Sequence, residues 1–167
     1  IMIAMALTAR PQLLIADEPT TALDTTTQAQ ILEELVALTS EHDISLILIT
    51  HDIALVSEYA DRILVLYAGE VCEVGPVDKV ISQPSHPYTR ALLESVPRID
   101  SKSERREAIP GELPDPSESR VGCPFTARCP DVMDVCHRID PDPIRIGPGH
   151  LAACHLWASE HAGVGNP

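Results

Sequence analysis

The sequence predicts an α/β fold, and three features predict it. Apolar runs at Leu13-Leu14-Ile15-Ala16, Ser45-Leu46-Ile47-Leu48-Ile49-Thr50 and Arg62-Ile63-Leu64-Val65-Leu66-Tyr67 have the length of strands. Between the first two lies a helical period, with Ile31, Leu35 and Leu38 on one face and Leu32 and Val36 beside them. The order strand, helix, strand implies parallel pairing through a right-handed crossover.

Residues 1 to 9 read as the end of a helix, broken by Arg10-Pro11. Leu13 to Ala16 is the first strand. A run this apolar reads as buried, with both faces covered. It leads into Asp17 and Glu18, and Pro19 ends it. Open α/β sheets bind ligands at the carboxyl ends of their strands, so both carboxylates stand where a ligand would be. One can hold hydrated Mg²⁺ while its neighbour orients or polarises a water. Two solvated acids at a strand end is the plain alternative. Thr25-x-x-Gln28 is a capping-box pattern that opens the next helix. Its Glu33, Glu34 and Glu41 fall on or near the side away from the apolar face, so this helix covers a sheet.

The second strand, also read as buried, delivers His51 to a carboxyl end level with Asp17 and Glu18. An imidazole there can donate to a phosphate oxygen. Asp52 suits the N-cap of a helix from about Ile53 to Ala60. After the third strand, Ala68-Gly69-Glu70 forms a turn and Val71 to Val74 returns antiparallel. Gly75-Pro76 is expected to break that strand, and Val77 to Ser82 to form a short helix. Cys72 reads as a small buried apolar residue.

At 167 residues the chain is long enough for a core of its own. Its formal charge of −13 argues against a nucleic-acid binder and against docking on anionic lipid. No apolar run reaches the ~18–20 residues of a membrane helix, and no secretory signal is recognisable. The sequence looks cytoplasmic, with any membrane link made through a partner.

Taken together, Asp17-Glu18-Pro19-Thr20, then Thr21-Ala22-Leu23-Asp24, then Thr50-His51-Asp52 resemble the second half of an ABC-transporter ATPase domain. The resemblance implies ATP and Mg²⁺ as cofactors, with Asp17 holding Mg²⁺ and Glu18 polarising the attacking water. It places His51 near the γ-phosphate and puts Asp24 in a nucleotide-side loop that contacts an opposing ATPase subunit. The implied fold is the C-terminal half of a P-loop ABC ATPase sheet with covering helices. No Gly-x-x-x-x-Gly-Lys-Ser/Thr loop occurs in the chain. A fragment that begins after the family's signature motif, and that is inactive alone, is therefore expected.

Pro84-Ser85-His86-Pro87-Tyr88-Thr89-Arg90-Ala91-Leu92-Leu93 and Ile109-Pro110-Gly111-Glu112-Leu113-Pro114 resemble the extension of peptide-importer ATPases. From the residues themselves the first is a Pro-bounded turn and a short helix, with His86 structural. The resemblance implies dipeptide or oligopeptide import, permease subunits, an extracytoplasmic peptide-binding protein, and a place on the cytoplasmic face of the membrane. An ATPase for nickel or another small solute, or a metal-binding module with an inert ATPase remnant, are the rival readings. The expected divisions are 1–83 for the ATPase part, 84–120 for the extension and linker, 121–158 for a Cys-rich tail and 159–167 for a disordered end.

Cys123, Cys129, Cys136 and Cys154 follow the spacing C-x5-C-x6-C-x17-C. Clustered thiols in a cytoplasmic protein suggest metal rather than disulfides. Zinc sites usually contain a C-x2–4-C pair, which is absent here, and four thiolates suit an iron–sulfur cluster equally well. The segment from Gly122 to Pro130 resembles a peptide-importer tail in which some members bind a [4Fe–4S] cluster. Zinc and metal-free thiols remain the alternatives. His137, His150 and His155 lie close enough in sequence to replace a ligand. The tail reads as irregular and poor in large apolar residues, so a metal would supply stability that its core does not. The excursion Pro141 to Gly149 returns the fourth ligand, and Cys72 takes no part.

Overall fold

The computed structural model describes residues 2–21, 23–95, 109, 111–115 and 120–158. Most of the expected linker, all of the expected disordered end, and Ala22 of the loop before Asp24 lie outside the described residues. The structure is mixed α/β and divides into two units, Ile1–Ala60 and Asp61–Pro167.

In the first unit α1 (Met2–Thr8) precedes β1 (Leu13–Asp17), α2 (Thr25–Glu41), β2 (Ser45–Ile49) and α3 (Ile53–Tyr59). β1 and β2 pair in parallel, in register from Leu13 opposite Ser45 to Asp17 opposite Ile49. The intervening α2 buries Leu32, Leu35 and Thr39. That face is shifted from the expected Ile31, Leu35 and Leu38, both of whose outer members are only half-buried. The strands are also not buried on both sides. Leu13, Ile15, Ile47 and Ile49 are 47, 59, 46 and 47% exposed. They share one face of a two-stranded sheet, and among the described residues no element of this unit covers that face. Helix α2 is capped by Asp24 rather than Thr25. Asp24 Oδ1 accepts from the Thr27 N–H at 3.0 Å, and Oδ2 accepts from the Thr27 hydroxyl at 2.7 Å. An ionised carboxylate at Ncap satisfies an orphan N–H and favours the positive helix end. Asp52 caps α3, as its sequence suggests, accepting from Ala54 N at 3.0 Å.

The second unit is built on a four-stranded sheet of order β3-β4-β6-β5. Strand β3 (Arg62–Tyr67) turns into β4 (Glu70–Pro76), followed by α4 (Val77–Ser82) and α5 (Pro87–Ser95). Gly75 and Pro76 do not break β4 but pair with Ile63 and Arg62. Pro76 is tolerated because it is the last residue of the ladder. Gly75 is needed for space, since a Cβ there would lie 2.9 Å from the His150 ring.

The Cys-rich tail is less irregular than its composition suggests. Its Pro141-to-Gly149 excursion carries β5 (Pro143–Gly147), which pairs with β6 (His150–Ala153), and β6 pairs in turn with β4. The tail also has a core. Tyr67, Cys72 and Phe125 are buried together with Tyr88, Cys123 and Cys129 against them. The Tyr67 ring lies 5.1 Å from Phe125 at 82° and 4.7 Å from Tyr88. Edge-to-face packing of this kind adds to the area buried. The rings come from β3, α5 and the tail, so no local window of sequence contains them all.

Candidate functional site

β1 and β2 end level with one another, and their ends bring two separated residues together. Glu18 follows β1 at a positive φ of 46°, an uncommon conformation for a residue with a Cβ. Its N–H donates to Ile49 O at 2.9 Å, which anchors the turn to the neighbouring strand. The turned backbone aims the carboxylate at the second residue after β2. Glu18 Oε1 accepts from His51 N at 3.2 Å and stands 2.6 Å from His51 Nδ1. Glu18 Oε2 accepts from the Thr21 hydroxyl at 3.1 Å. The hydrogen bond from His51 is the largest influence holding the Glu18 carboxyl below its ordinary range, and the Thr21 hydroxyl adds to it. Conversely, the hydrogen bond and charge of Glu18 raise the His51 imidazole. Backbone strain with a converging acid and base is a recurrent feature of catalytic positions.

Asp17 ends β1 beside this pair, exposed, with no hydrogen bond or ion pair to its carboxylate among the described residues. A free carboxylate of this kind suits a hydrated hard cation. Asp24 is held in its cap, and the bonds from Thr27 hold its carboxyl below the usual range. Sequence reasoning missed the grip of Thr21 on Glu18.

A second constellation lies in the other unit. Cys123, Cys129, Cys136 and Cys154 line one cavity of about 10 Å³, together with His86, Phe125 and His155. All the cysteines are free thiols. Among the described residues, no group of three His, Cys, Asp or Glu side chains stands close enough to hold a metal ion. The four thiols thus face one space without reaching ligating distance. Cys123 N donates to Cys136 O at 2.8 Å, and the Thr126 hydroxyl bridges Cys123 O (2.7 Å) and Cys136 O (3.0 Å). These bonds fix the first and third cysteines side by side. Burial raises the Cys123 and Cys129 thiols and pushes Cys154 up to about 11. Cys72 does not line the cavity, and burial pushes it up to about 12.

The nearby histidines are engaged elsewhere or exposed. His150 Nε2 lies 2.7 Å from Glu73 Oε1, His155 Nε2 lies 2.9 Å from Ile139 O, and His137 is exposed. Glu73 is fully buried and also accepts from Ser85 N at 2.8 Å and His86 N at 2.9 Å. It ties the turn before α5 to strand β6, which leads into Cys154. Nothing in the local sequence distinguishes Glu73 from Glu70, the exposed acid that opens the same strand.

Comparison with known proteins adds four findings. The family model "Oligopeptide/dipeptide transporter, C-terminal region" matches residues 72–136. The oligopeptide transport ATP-binding protein AppD of Bacillus subtilis is 46% identical over 97% of this chain and 49% of its own length. The dipeptide transport ATP-binding protein DppD of Haemophilus influenzae is 46% identical over 100% of this chain and 49% of its own length. The chain therefore spans about half the length of the curated relatives it matches. Among solved structures, cbiO1 of Clostridium perfringens, part of the ABC transporter complex cbiONQ, aligns with a TM-score of 0.46 at 37% identity. That alignment covers 48% of this chain and 32% of the other.

Proposed function

We propose that the protein carrying this chain, a homologue of the ATP-binding proteins of oligopeptide and dipeptide transport, hydrolyses ATP to energise peptide import. The observation that carries the proposal is the Glu18–His51 pair at the ends of two parallel strands, beside the free carboxylate of Asp17. Asp17 fits the role of Mg²⁺ ligand, and the cation would neutralise charge on the phosphates. Glu18 orients the attacking water once its Oε1 is released from His51, and His51 then donates to the γ-phosphate. Holding Glu18 on His51 and Thr21 keeps both carboxylate oxygens occupied until a nucleotide competes for His51. The loop up to Asp24 serves a second ATPase subunit. Permease subunits would hold the protein at the cytoplasmic face of the membrane, served by an extracytoplasmic peptide-binding protein. Among the described residues no helix is long and apolar enough to cross a membrane. In the full-length protein Glu18→Gln should retain ATP binding and lose about 10²–10⁴-fold in turnover, because an amide is not a base. Turnover at the wild-type rate would remove Glu18 from this role.

A second reading concerns the cysteines. The facing of Cys123, Cys129, Cys136 and Cys154 on one cavity, all reduced and with Cys72 outside it, supports these four as ligands of a [4Fe–4S] cluster. The donor set fits, since four thiolates are the usual ligands of such clusters. As the chain stands, the thiols lie outside ligating distance around a cavity of about 10 Å³, so it is their chemistry alone that supports the cluster. Chain reconstituted with ferrous iron and sulfide without oxygen should turn brown and lose iron on any one of the four Cys→Ser changes. Cys72→Ser should keep its colour. Stoichiometric zinc with no iron would replace the cluster by the zinc alternative.

A further inference from the structure

The segment between β1 and α2 is fastened at several points, and Thr21 sits in the middle of it. Glu18 O accepts from Thr21 N at 3.2 Å, and Thr20 O accepts from Leu23 N at 3.1 Å. Thr20 is buried at 7% exposure, and Asp24 closes the segment by capping α2. The Thr21 backbone is thus tied on both sides, while its side chain is exposed. Its hydroxyl donates to Glu18 Oε2 at 3.1 Å.

The two oxygens of Glu18 are held by groups of different kinds. Oε1 stands 2.6 Å from an imidazole 33 residues away in the chain, on the neighbouring strand's exit, and the His51 side chain is 84% exposed. A competing acceptor can draw that ring away without disturbing the turn after β1. Oε2 is held from within that turn, three residues on. Thr21 is β-branched, so few rotamers are open to it and its hydroxyl stays where the backbone puts it. One hold is exchangeable and the other is fixed.

We infer that Thr21 is a positioning residue for hydrolysis: its hydroxyl keeps Glu18 Oε2 in place when His51 releases Oε1, so the freed oxygen is presented to water instead of swinging away. This rests on the ATPase reading above. Thr21 acts through Glu18 alone. Without its hydroxyl the carboxylate turns freely about its last bond, and the orientation of the water is lost with it.

Three variants of the full-length protein separate this role from a structural one. Thr21→Val keeps the shape of the side chain and removes the donor, whereas Thr21→Ser keeps the donor. Steady-state ATP hydrolysis gives kcat and KM, and single-turnover hydrolysis of ATP labelled in the γ-phosphate gives the slow rates. Thr21→Val should lower kcat about tenfold and leave KM for ATP within about twofold, because the bond orients the water and not the nucleotide. Thr21→Ser should stay within about twofold of wild type. In a Glu18→Gln background Thr21→Val should slow turnover by less than about twofold more, since residues that act as a unit are not additive. Wild-type kcat for Thr21→Val, an equal loss for Thr21→Ser, or a full tenfold further loss in the Glu18→Gln background would each overturn the role of Thr21 and leave that of Glu18 standing. Wild-type turnover by Glu18→Gln itself would overturn the ATPase reading of this site, and the inference with it.

Discussion

Replacing Glu73 by Ala should loosen the second unit more than any change of similar size at its surface. The carboxyl group is 0% exposed and meets three donors: Ser85 N at 2.8 Å, His86 N at 2.9 Å and His150 Nε2 at 2.7 Å. Truncation strands all three in the interior. Each unsatisfied buried donor costs about 1–3 kcal/mol. Three such donors, partly relaxed toward other partners, put the whole substitution at about 3–5 kcal/mol. With a urea dependence of about 2 kcal/mol/M, the unfolding midpoint should fall by about 2 M. Trp157 is the one tryptophan, and its indole donates to Ser85 O at 2.8 Å, so its fluorescence reports on this cluster directly. Glu73→Gln retains one acceptor oxygen and should lie between Ala and wild type. A midpoint shift below about 0.5 M for Glu73→Ala would refute the reasoning, because one unsatisfied donor alone should exceed it.

The Glu18–His51 contact predicts a pH window. His51 is raised above its ordinary 6.5, so its stabilising contribution is complete below 6.5 and is lost as pH rises through the raised value. Glu18 is lowered below 4.5, so its contribution is present above 4.5 and is lost as pH falls through the lowered value. Both are charged between those limits, and NMR titration of the His51 ring should show its pKa falling in Glu18→Gln; an unchanged titration would break the pair. Gly122→Ala should disrupt the cysteine loop, since Gly122 has a φ of 85° and a Cβ there would lie 2.3 Å from Cys136 O. The backbone strain alone is worth about 1–3 kcal/mol, and alkylation of Cys123 and Cys136 should accelerate; unchanged labelling would count against the tight loop. Asp24→Ala should lower the midpoint of thermal unfolding through the lost cap of α2, whereas Asp24→Asn should recover most of it.

Much of the first unit was legible in sequence because its signals are local. Apolar runs, a helical period and Asp52 as a cap are each read within a few residues. Thr25 was a misleading cap because the capping-box pattern fits it, whereas the charged Asp24 one position earlier makes two bonds to Thr27. The covered-on-both-sides expectation failed for a different reason. Composition records what a strand prefers to bury, and the uncovered side of Leu13, Ile15, Ile47 and Ile49 depends on which layers are present. The tail hairpin was hidden because Pro143 and Gly147 look like breakers, while pairing with β4 decides the outcome. Glu73 was hidden further still, since its imidazole partner lies 77 residues away.

Strand register does the positioning at both candidate sites. In the first unit, parallel pairing sets Asp17 opposite Ile49, so the residues that follow, Glu18 and the Thr50-His51 pair, leave the sheet at the same level. A slip of one residue would turn every side chain of a strand to the other face and carry Glu18 away from His51. In the second unit, β6 lies against β4 with Glu73 opposite Ala152, two residues before Cys154. The Glu73–His150 contact fixes that alignment from within the sheet, and the same Glu73 holds the backbone of His86, which lines the same cavity as Cys154. One buried acid therefore sets the position of a thiol and of an imidazole that line the same cavity. This makes the cysteine site sensitive to a residue that need not touch sulfur, and it links the stability change expected for Glu73→Ala to a loss of order at Cys154.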